Sequence, residues 1–248
     1  MQILRTKFKN EIITEFLPPV SKSNKVIILC TGMPGYPGEK KNLLKFFANA
    51  GYWAFLPRYR GSWESEGEFL KESPHIDILD VISELESGFT ELWGMQKFSV
   101  ENPEVYLMGS SFGGPAVLLA SQDNKVKKAV ALSPVVDWRI ESKTEPFDHL
   151  SRFMMDAFGN GYRMEREDFF KLKNGGFYNP VDVVGELSKE KIMIFHAKDD
   201  EIVDFEPTRK FAKKLKCTFA PMKVGGHLST SLIHTPKFWK KIKKFIEN

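Results

Sequence analysis

The sequence predicts an α/β protein with a mostly parallel central sheet and helices on both faces of that sheet. Short apolar runs alternate along the chain with longer amphipathic segments, the order expected of consecutive β-α units. The runs are apolar throughout rather than at every second residue, which is typical of strands buried on both faces. Because no repeat or low-complexity linker interrupts the 248 residues, we expect one domain spanning residues 1–248.

The elements follow in a regular order after an N-terminal hairpin at residues 3–17, which turns at Lys9 and Asn10. Strands are predicted at residues 26–30, 52–56, 105–108, 128–132, 192–195 and 218–222, and helices at residues 43–47, 77–93, 112–121, 207–215 and 237–246. In such sheets the ligand site lies beyond the carboxyl ends of the strands. We therefore expect the functional residues in the loops that follow strands.

One segment, residues 137–180, interrupts this order between two predicted core strands. It combines helical pieces with many aromatic residues, so we expect a small helical cap over the carboxyl edge of the sheet. Its Trp138, Phe153 and Phe158, together with Tyr36, are candidate substrate-pocket residues. The alternative is a packing excursion that never contacts substrate.

The composition is that of a globular protein, with 42% hydrophobic and 27% charged residues and a net charge of +4. Much of the positive charge lies in the last helix, opposite an apolar stripe, so it is expected to be a solvated face. Neither a nucleic acid nor a membrane is predicted as a partner. The N-terminus has no signal-peptide pattern, and the apolar runs are shorter than the roughly 20 residues of a membrane span, which predicts a cytoplasmic protein.

No cofactor or metal is predicted from the motifs. The chain lacks a zinc-type Cys/His spacing, a phosphate-binding loop and a dinucleotide-binding fingerprint. Its two cysteines, Cys30 and Cys217, are far apart in apolar surroundings and are expected to be free thiols.

The strongest motif is Gly-Ser-Ser-Phe-Gly at residues 109–113, a G-x-S-x-G pattern between a predicted strand and a predicted helix. In this context the central serine sits on a tight turn, and side chains two residues before and after it would collide. The spacing therefore selects Ser111, not Ser110, as the candidate nucleophile.

A serine nucleophile needs a base, and the chain offers five histidines. His227 follows the last predicted strand in a Gly-Gly-His loop, and it comes after the serine and the acid loop in chain order. We therefore expect His227 to be the base. His196 ends a strand and is expected to support the acid loop, His234 is expected inside the last helix, and His149 lies in the insertion.

The acid should follow the penultimate strand, where the chain reads His-Ala-Lys-Asp-Asp-Glu-Ile-Val at residues 196–203. Spacing alone does not choose between Asp199 and Asp200. This segment resembles the H-G-x-x-D-x-x-V acid loop of the prolyl oligopeptidase family, within the α/β-hydrolase superfamily. Three further segments are similar: Gly-Met-Pro-Gly at residues 32–35, Tyr-Arg-Gly-Ser at 59–62, and Ser-Pro-Val-Val-Asp-Trp at 133–138.

The resemblance covers residues 26–248 and implies an α/β-hydrolase fold with Asp200 as the acid. It departs from the family at Thr31, where relatives often carry Tyr or His, and in the β-propeller, because only a short segment precedes the first core strand. It therefore supports acyl-transfer chemistry more strongly than peptidase specificity.

The backbone N–H groups of Met33 and Phe112 are the expected oxyanion donors. The function that we expect is a serine hydrolase cleaving carboxylic esters or small amides and peptides through an acyl-enzyme, acting as a monomer or homodimer. Alternatives are an aminopeptidase or acylaminoacyl peptidase, an acyltransferase, and a non-catalytic binding protein on the same fold.

Overall fold

The structure, a computed structural model, describes residues 1–142 and 144–247; Lys143, within the predicted insertion, lies outside the described residues. The strands are β1 (Leu4–Phe8), β2 (Ile12–Leu17), β3 (Lys25–Cys30), β4 (Trp53–Pro57), β5 (Phe89–Thr90), β6 (Lys97–Phe98), β7 (Glu104–Ser110), β8 (Val126–Leu132), β9 (Ile192–Ala197) and β10 (Thr218–Met222). The helices are α1 (Lys41–Asn49), α2 (His75–Glu84), α3 (Gly113–Ala120), α4 (Phe147–Phe158), α5 (Arg166–Phe170), α6 (Phe205–Leu215) and α7 (Pro236–Ile246).

Eight strands form one sheet in the order β1-β2-β4-β3-β7-β8-β9-β10. The strand β2 pairs antiparallel with both of its neighbours, and the pairs from β4 to β10 are all parallel. The mostly parallel sheet predicted from the apolar runs is therefore confirmed. The carboxyl ends of β3, β7, β8, β9 and β10 lie at one edge, where the candidate site is expected.

Helices cover both faces of this sheet, as predicted. The side chains of α2, α3 and α6 pack in one apolar cluster, and those of α1 and α7 pack in the other. Alternate residues of β7 feed the two clusters, with Leu107 in the first and Met108 in the second. Since both faces are buried, the strand must be apolar at every position, which explains the continuous runs in the sequence.

The N-terminal hairpin is confirmed, and Lys9 and Asn10 at its turn both have positive φ. The long helix predicted at residues 77–93 is wrong. The helix α2 ends at Glu84, and the chain then turns at Gly88, whose φ of +100° lies outside the helical region. Beyond that turn, Phe89 packs its ring 5.2 Å from the ring of Phe16. Phe89 is therefore apolar because it packs against the hairpin, and not because it lies on the buried face of a helix.

The predicted insertion contains α4, α5 and short 3-10 turns. An extended piece between these helices runs beside the loop that follows β4. There the Trp63 N–H donates to the Gly161 carbonyl at 2.8 Å, and the Arg163 N–H donates to the Gly61 carbonyl at 2.7 Å. These bonds fasten the middle of the insertion to the carboxyl edge of the sheet. Within the described residues, none of the helices combines the length and the apolar character needed to cross a membrane.

Candidate active site

Ser111 lies on the sharp turn between β7 and α3, and its φ is +53°. A serine in the left-handed region is strained unless its surroundings hold it there. Two backbone hydrogen bonds do so, because the Ser111 N–H donates to the Leu132 carbonyl at 3.1 Å and the Gly114 N–H donates to the Ser111 carbonyl at 2.9 Å.

The two motif glycines are required by the packing of this turn. A Cβ atom at Gly109 would lie 2.4 Å from the Gly113 carbonyl oxygen, and one at Gly113 would lie 2.2 Å from the Cys30 carbonyl oxygen. Both distances are far below van der Waals contact, and the obstructing atoms belong to the backbone. The collisions expected at both glycines are thus found in the structure, and Ser111 as the nucleophile stays a prediction.

His227 lies in the loop after β10, and its Nδ1 atom is 3.0 Å from Oδ2 and 3.1 Å from Oδ1 of Asp200. The Asp200 side chain is fully buried, whereas about a quarter of the His227 side chain is exposed. The carboxylate thus fixes the orientation of the ring through Nδ1, and Nε2 is not used in this contact.

Several donors converge on the Asp200 carboxylate. Its Oδ1 atom accepts hydrogen bonds from the backbone N–H groups of Ile202 and Val203, both at 3.0 Å. Burial by itself would raise the pKa of Asp200, but hydrogen bonds from His196, His227 and Ser133 outweigh burial and hold this pKa well below its usual range. The carboxylate therefore stays ionised and continues to accept from the imidazole.

Asp199, the alternative acid, lies elsewhere. Its carboxylate accepts the backbone N–H groups of Gly225, at 2.9 Å, and Gly226, at 3.0 Å. It therefore anchors the loop that carries His227, and it makes no hydrogen bond to the imidazole. The two adjacent aspartates thus hold different parts of the same loop.

His196 is fully buried on the other side of Asp200, as expected for support of the acid loop. Its Nε2 atom lies 2.9 Å from the Val203 carbonyl oxygen and 3.2 Å from Asp200 Oδ2. Since both neighbours are acceptors, Nε2 carries the proton. The remaining ring nitrogen, Nδ1, is buried without a hydrogen-bond partner among the described residues.

The other histidines lie away from this loop. His75 is the first residue of α2, and His149 is exposed on α4. His234 was expected inside the last helix, and this is wrong, because it precedes α7 and packs its ring 6.1 Å from that of Phe46.

The expected oxyanion donors, the backbone N–H groups of Met33 and Phe112, border the same cavity as Ser111. Among residues 1–142 and 144–247, neither N–H group has a hydrogen-bond acceptor. Phe112 lies at the start of α3, so the partial positive charge of the helix N-terminus adds to its donor. An N–H group without an acceptor is available to bind a developing oxyanion, and the assignment of these two donors stays a prediction.

The loop that carries His227 contacts the turn that carries Ser111. The Thr230 N–H donates to the Ser110 hydroxyl at 3.3 Å, and the Leu228 N–H donates to the Ser133 hydroxyl at 3.1 Å. No hydrogen bond joins Ser111 Oγ to His227, or to any other residue that the structure describes. In substrate-free active sites this bond is commonly long and tightens when substrate binds.

A cavity that is open to solvent lies beside Ser111. Four of its lining residues are acidic, and none of the described lining residues is Lys, Arg or His. Its apolar lining consists of Met33, Phe112, Val135, Val136, Trp138, Ile140, Phe147, Leu150, Ile202, Val203 and Pro207, and the carboxylates are Asp137, Glu141, Glu145 and Asp204.

Of the four aromatic residues predicted for the substrate pocket, the structure brings only Trp138 to this cavity. Tyr36 and Phe153 are more than half exposed. They pack instead against Phe158, with ring centroids 5.7 Å and 5.6 Å from it. These three rings form a cluster beside Trp63, whereas Phe147 and Leu150 of α4 line the cavity.

Comparison with known families gives a match to the Prolyl oligopeptidase family over residues 40–231. The matched segment runs from the start of α1 past the His227 loop and includes both the serine turn and the acid loop. The chain belongs to the prolyl oligopeptidase family.

A curated relative is an Escherichia coli protein described as an uncharacterized 31.7 kDa protein in the traX-finO intergenic region. It is 32% identical over 137 residues, which are 53% of this chain and 45% of that protein. The match thus spans about half the length of each protein.

Solved structures show the same fold at low sequence identity. The Pyrococcus furiosus esterase Pf2001 matches with a TM-score of 0.68 at 14% identity, over 99% of this chain and 89% of the esterase. The Pyrococcus horikoshii acylaminoacyl peptidase matches with a TM-score of 0.68 at 17% identity, over 99% of this chain and 41% of the peptidase. The fold of this family member is therefore the α/β-hydrolase fold.

Sequence reasoning missed three contributors to the site. Asp199 was considered only as a rival acid, and its role at the Gly225 and Gly226 N–H groups had no local signal beyond its place beside Asp200. Tyr162 and Tyr178 were not singled out at all, although both hydroxyls reach the loops that carry the expected oxyanion donors.

Proposed function

We propose that this protein is a serine hydrolase that cleaves carboxylic esters or small amides through an acyl-enzyme intermediate. The observation that carries the proposal is the 3.0 Å contact between His227 Nδ1 and Asp200, in a loop that touches the strained turn of Ser111. A buried carboxylate, an oriented imidazole and an activated serine are the parts that this chemistry requires.

The proposed reaction begins when His227 Nε2 takes the proton from Ser111 and the hydroxyl oxygen attacks the substrate carbonyl. The negative charge that develops on the carbonyl oxygen is stabilised by the N–H groups of Met33 and Phe112. His227 then protonates the leaving alcohol or amine, and the bond to it breaks. Water attacks the acyl-enzyme with His227 again as base, which releases the acid and restores Ser111.

The cavity supports a substrate with an uncharged apolar acyl or alcohol group. Its lining beside Ser111 is mainly aliphatic and aromatic, and the charged groups that border it are carboxylates. An apolar group in this space would be removed from water, which stabilises binding in proportion to the apolar area buried. Arg139 and Lys173 pair with Asp137 and Glu141, so Glu145 and Asp204 would contribute most to repulsion of an anionic group there.

A second candidate is cleavage of short peptides or acylaminoacyl amides. It is favoured by membership in the prolyl oligopeptidase family. An ester substrate and an amide substrate differ in the leaving group that His227 must protonate, so the two candidates separate in a direct comparison. We would compare kcat/KM for p-nitrophenyl butyrate with kcat/KM for aminoacyl and acylaminoacyl p-nitroanilides.

The nucleophile is tested with Ser111→Ala, and Ser110→Ala serves as the matched control in the adjacent position. The first variant should lower kcat on p-nitrophenyl butyrate by roughly 10³–10⁶-fold and abolish labelling by a fluorophosphonate. The control loses only the hydrogen bond from the Thr230 N–H, so its kcat should fall by less than about 10-fold.

Near-normal turnover by the folded Ser111→Ala variant would reject Ser111 as the nucleophile. A wild-type protein that neither hydrolyses esters and anilides nor reacts with a fluorophosphonate would favour a binding protein. Formation of a new ester in the presence of an added alcohol, in excess over hydrolysis, would favour acyl transfer.

A further inference from the structure

Two tyrosines of the insertion, Tyr162 and Tyr178, contact the backbone of Gly35 and Phe112, respectively. We infer that these hydroxyls position the two oxyanion donors, so that the insertion forms part of the oxyanion site as well as one wall of the cavity. The inference rests on the proposed function, and it makes Tyr162 and Tyr178 positioning residues, because neither hydroxyl faces the reacting atoms.

Tyr162 holds the loop of Met33. Its hydroxyl accepts the Gly35 N–H at 2.9 Å and lies 3.4 Å from the Gly35 carbonyl oxygen, which also accepts the indole N–H of Trp63 at 2.8 Å. Both polar groups of Gly35 are thus fixed by aromatic side chains. The hydroxyl of Tyr162 is buried, so the contact is shielded from competing water.

Gly35 transmits this restraint to Met33 because the turn between them is tight. A Cβ atom at Gly35 would lie 3.2 Å from both the Gly32 carbonyl oxygen and the Thr31 side-chain oxygen. The residues before Gly35 therefore pack closely against it. A shift of Gly35 would carry along the neighbouring N–H group of Met33.

Tyr178 holds the other donor. Its hydroxyl donates to the Phe112 carbonyl at 2.5 Å, and its ring lies 5.0 Å from the Phe112 ring. The backbone of Phe112 is thus held through its carbonyl, while its N–H group stays free beside the cavity. Tyr178 itself has a φ of +52°, and the indole N–H of Trp138 donates to its carbonyl at 3.0 Å. This strained residue is fixed by a second contact inside the insertion.

Packing alone does not require these hydroxyl groups. Burial raises the pKa of Tyr178 well above its ordinary value and also raises that of Tyr162, so both remain neutral donors and acceptors. A phenylalanine would fill the same volume and keep the ring contacts. What it would lose is the hydrogen bond to Gly35 or Phe112 and, at position 178, the hydroxyl's interaction with Tyr59.

The consequence should be visible in kcat rather than in KM. Oxyanion donors act on charge that develops in the transition state, so a displaced donor weakens transition-state binding and leaves substrate binding nearly unchanged. Loss of a tyrosine through general destabilisation would instead reduce the fraction of active enzyme. The two effects separate when kcat is normalised to the active sites titrated with a fluorophosphonate.

The test uses Tyr162→Phe and Tyr178→Phe, with Tyr106→Phe as the matched control. Tyr106 is also a buried tyrosine with a hydroxyl hydrogen bond, to Glu104 at 3.3 Å, but it packs on the opposite face of the sheet from Phe112. The measurements are kcat and KM on p-nitrophenyl butyrate, and the inhibition constant of butylboronic acid, whose tetrahedral adduct places an oxygen at the oxyanion position.

Each of the two test variants should lower the normalised kcat by roughly 10- to 100-fold. Their KM should stay within about 2-fold, and the affinity for the boronic acid should fall in parallel with kcat. The control should stay within about 2-fold of wild type in all three quantities. Should a tyrosine variant fail to fold, Trp63→Phe removes the other hydrogen bond to Gly35 and should lower kcat in the same manner.

An unchanged normalised kcat in the folded variants would overturn the inference, as would a loss of kcat without a loss of boronic acid affinity. Neither result would contradict the proposed hydrolase function of the wild-type protein. A wild-type protein that is inert to the ester and to the fluorophosphonate would instead overturn the proposed function, and this inference with it.

Discussion

Asp199 and Asp200 are adjacent in the chain, yet their carboxylates hold different atoms of the loop after β10. Asp200 contacts Nδ1 of His227 at 3.0 Å, and Asp199 accepts the Gly225 N–H at 2.9 Å. One aspartate orients the ring, and the other fixes the backbone that carries the ring. This division of roles allows the two side chains to be tested separately.

Asp200→Asn should lower kcat by roughly 10²–10⁴-fold, because an amide does not stabilise the imidazolium and can favour the wrong tautomer of His227. Asp199→Asn should lower kcat by less than about 10-fold and cost about 1–2 kcal/mol of unfolding free energy, because it weakens only the hydrogen bonds to the Gly225 and Gly226 N–H groups. Steady-state kinetics and urea unfolding measure the two effects. A larger loss of kcat in Asp199→Asn than in Asp200→Asn would reverse the proposed assignment of the acid.

The cavity beside Ser111 should set the length of acyl chain accepted. Leu150, half-buried on α4, lines this cavity, so Leu150→Trp would fill part of its volume. We expect kcat/KM for p-nitrophenyl hexanoate to fall by about 10-fold or more while that for the acetate changes by less than about 3-fold. The comparison is a series of p-nitrophenyl esters from acetate to octanoate. An equal change for all chain lengths would place the acyl group elsewhere.

The carboxylates around the cavity should discriminate against anionic substrates. Glu141 and Glu145 line it together with Asp137 and Asp204. A butyrate ester should therefore be hydrolysed at least about 10-fold faster than the corresponding succinate monoester, measured as kcat/KM at low ionic strength. The double variant Glu141→Gln/Glu145→Gln should narrow this ratio, and added salt should narrow it in the wild type. If neither the double variant nor added salt changes the ratio of kcat/KM for the two esters, charge is excluded as the cause of the preference.

His75 should contribute to the pH dependence of stability. Burial lowers the pKa of His75 from 6.5 to about 4, so between these values the unfolded chain binds a proton there that the folded chain does not. Stability should therefore rise with pH across this window and become independent of His75 above it. In His75→Gln the free energy of unfolding should rise less steeply with pH, by up to about 1.4 kcal/mol per pH unit.

Urea unfolding of wild type and His75→Gln between pH 4 and pH 7 measures this difference. Asp77, whose pKa burial raises to about 6, contributes with the opposite sign in both proteins and cancels in the comparison. Parallel stability curves would show that His75 titrates equally in the folded and unfolded states.

The turn around Ser111 could be predicted because its requirements are local. Positions 109 and 113 must be glycine because a Cβ atom there would collide with backbone atoms a few residues away or in the neighbouring strand. The continuous apolar run of β7 indicates that this strand is buried on both faces. The helix predicted at residues 77–93 failed for the opposite reason. The ring of Phe89 is buried against the distant Phe16, and that contact has no trace in the local periodicity.

By itself, then, the sequence determined the order of the main strands and helices, the strained serine turn, and the loop in which His227 lies. These features depend on periodicity and on short-range steric limits, and both can be read from residues close together in the chain. Only the tertiary structure decided which aspartate contacts the imidazole, which aromatic residue of the insertion lines the cavity, and which tyrosines hold Gly35 and Phe112. Those pairs are joined by hydrogen bonds and packing between segments far apart in the chain. Such contacts depend on how the insertion and the loops pack against the sheet in the folded protein.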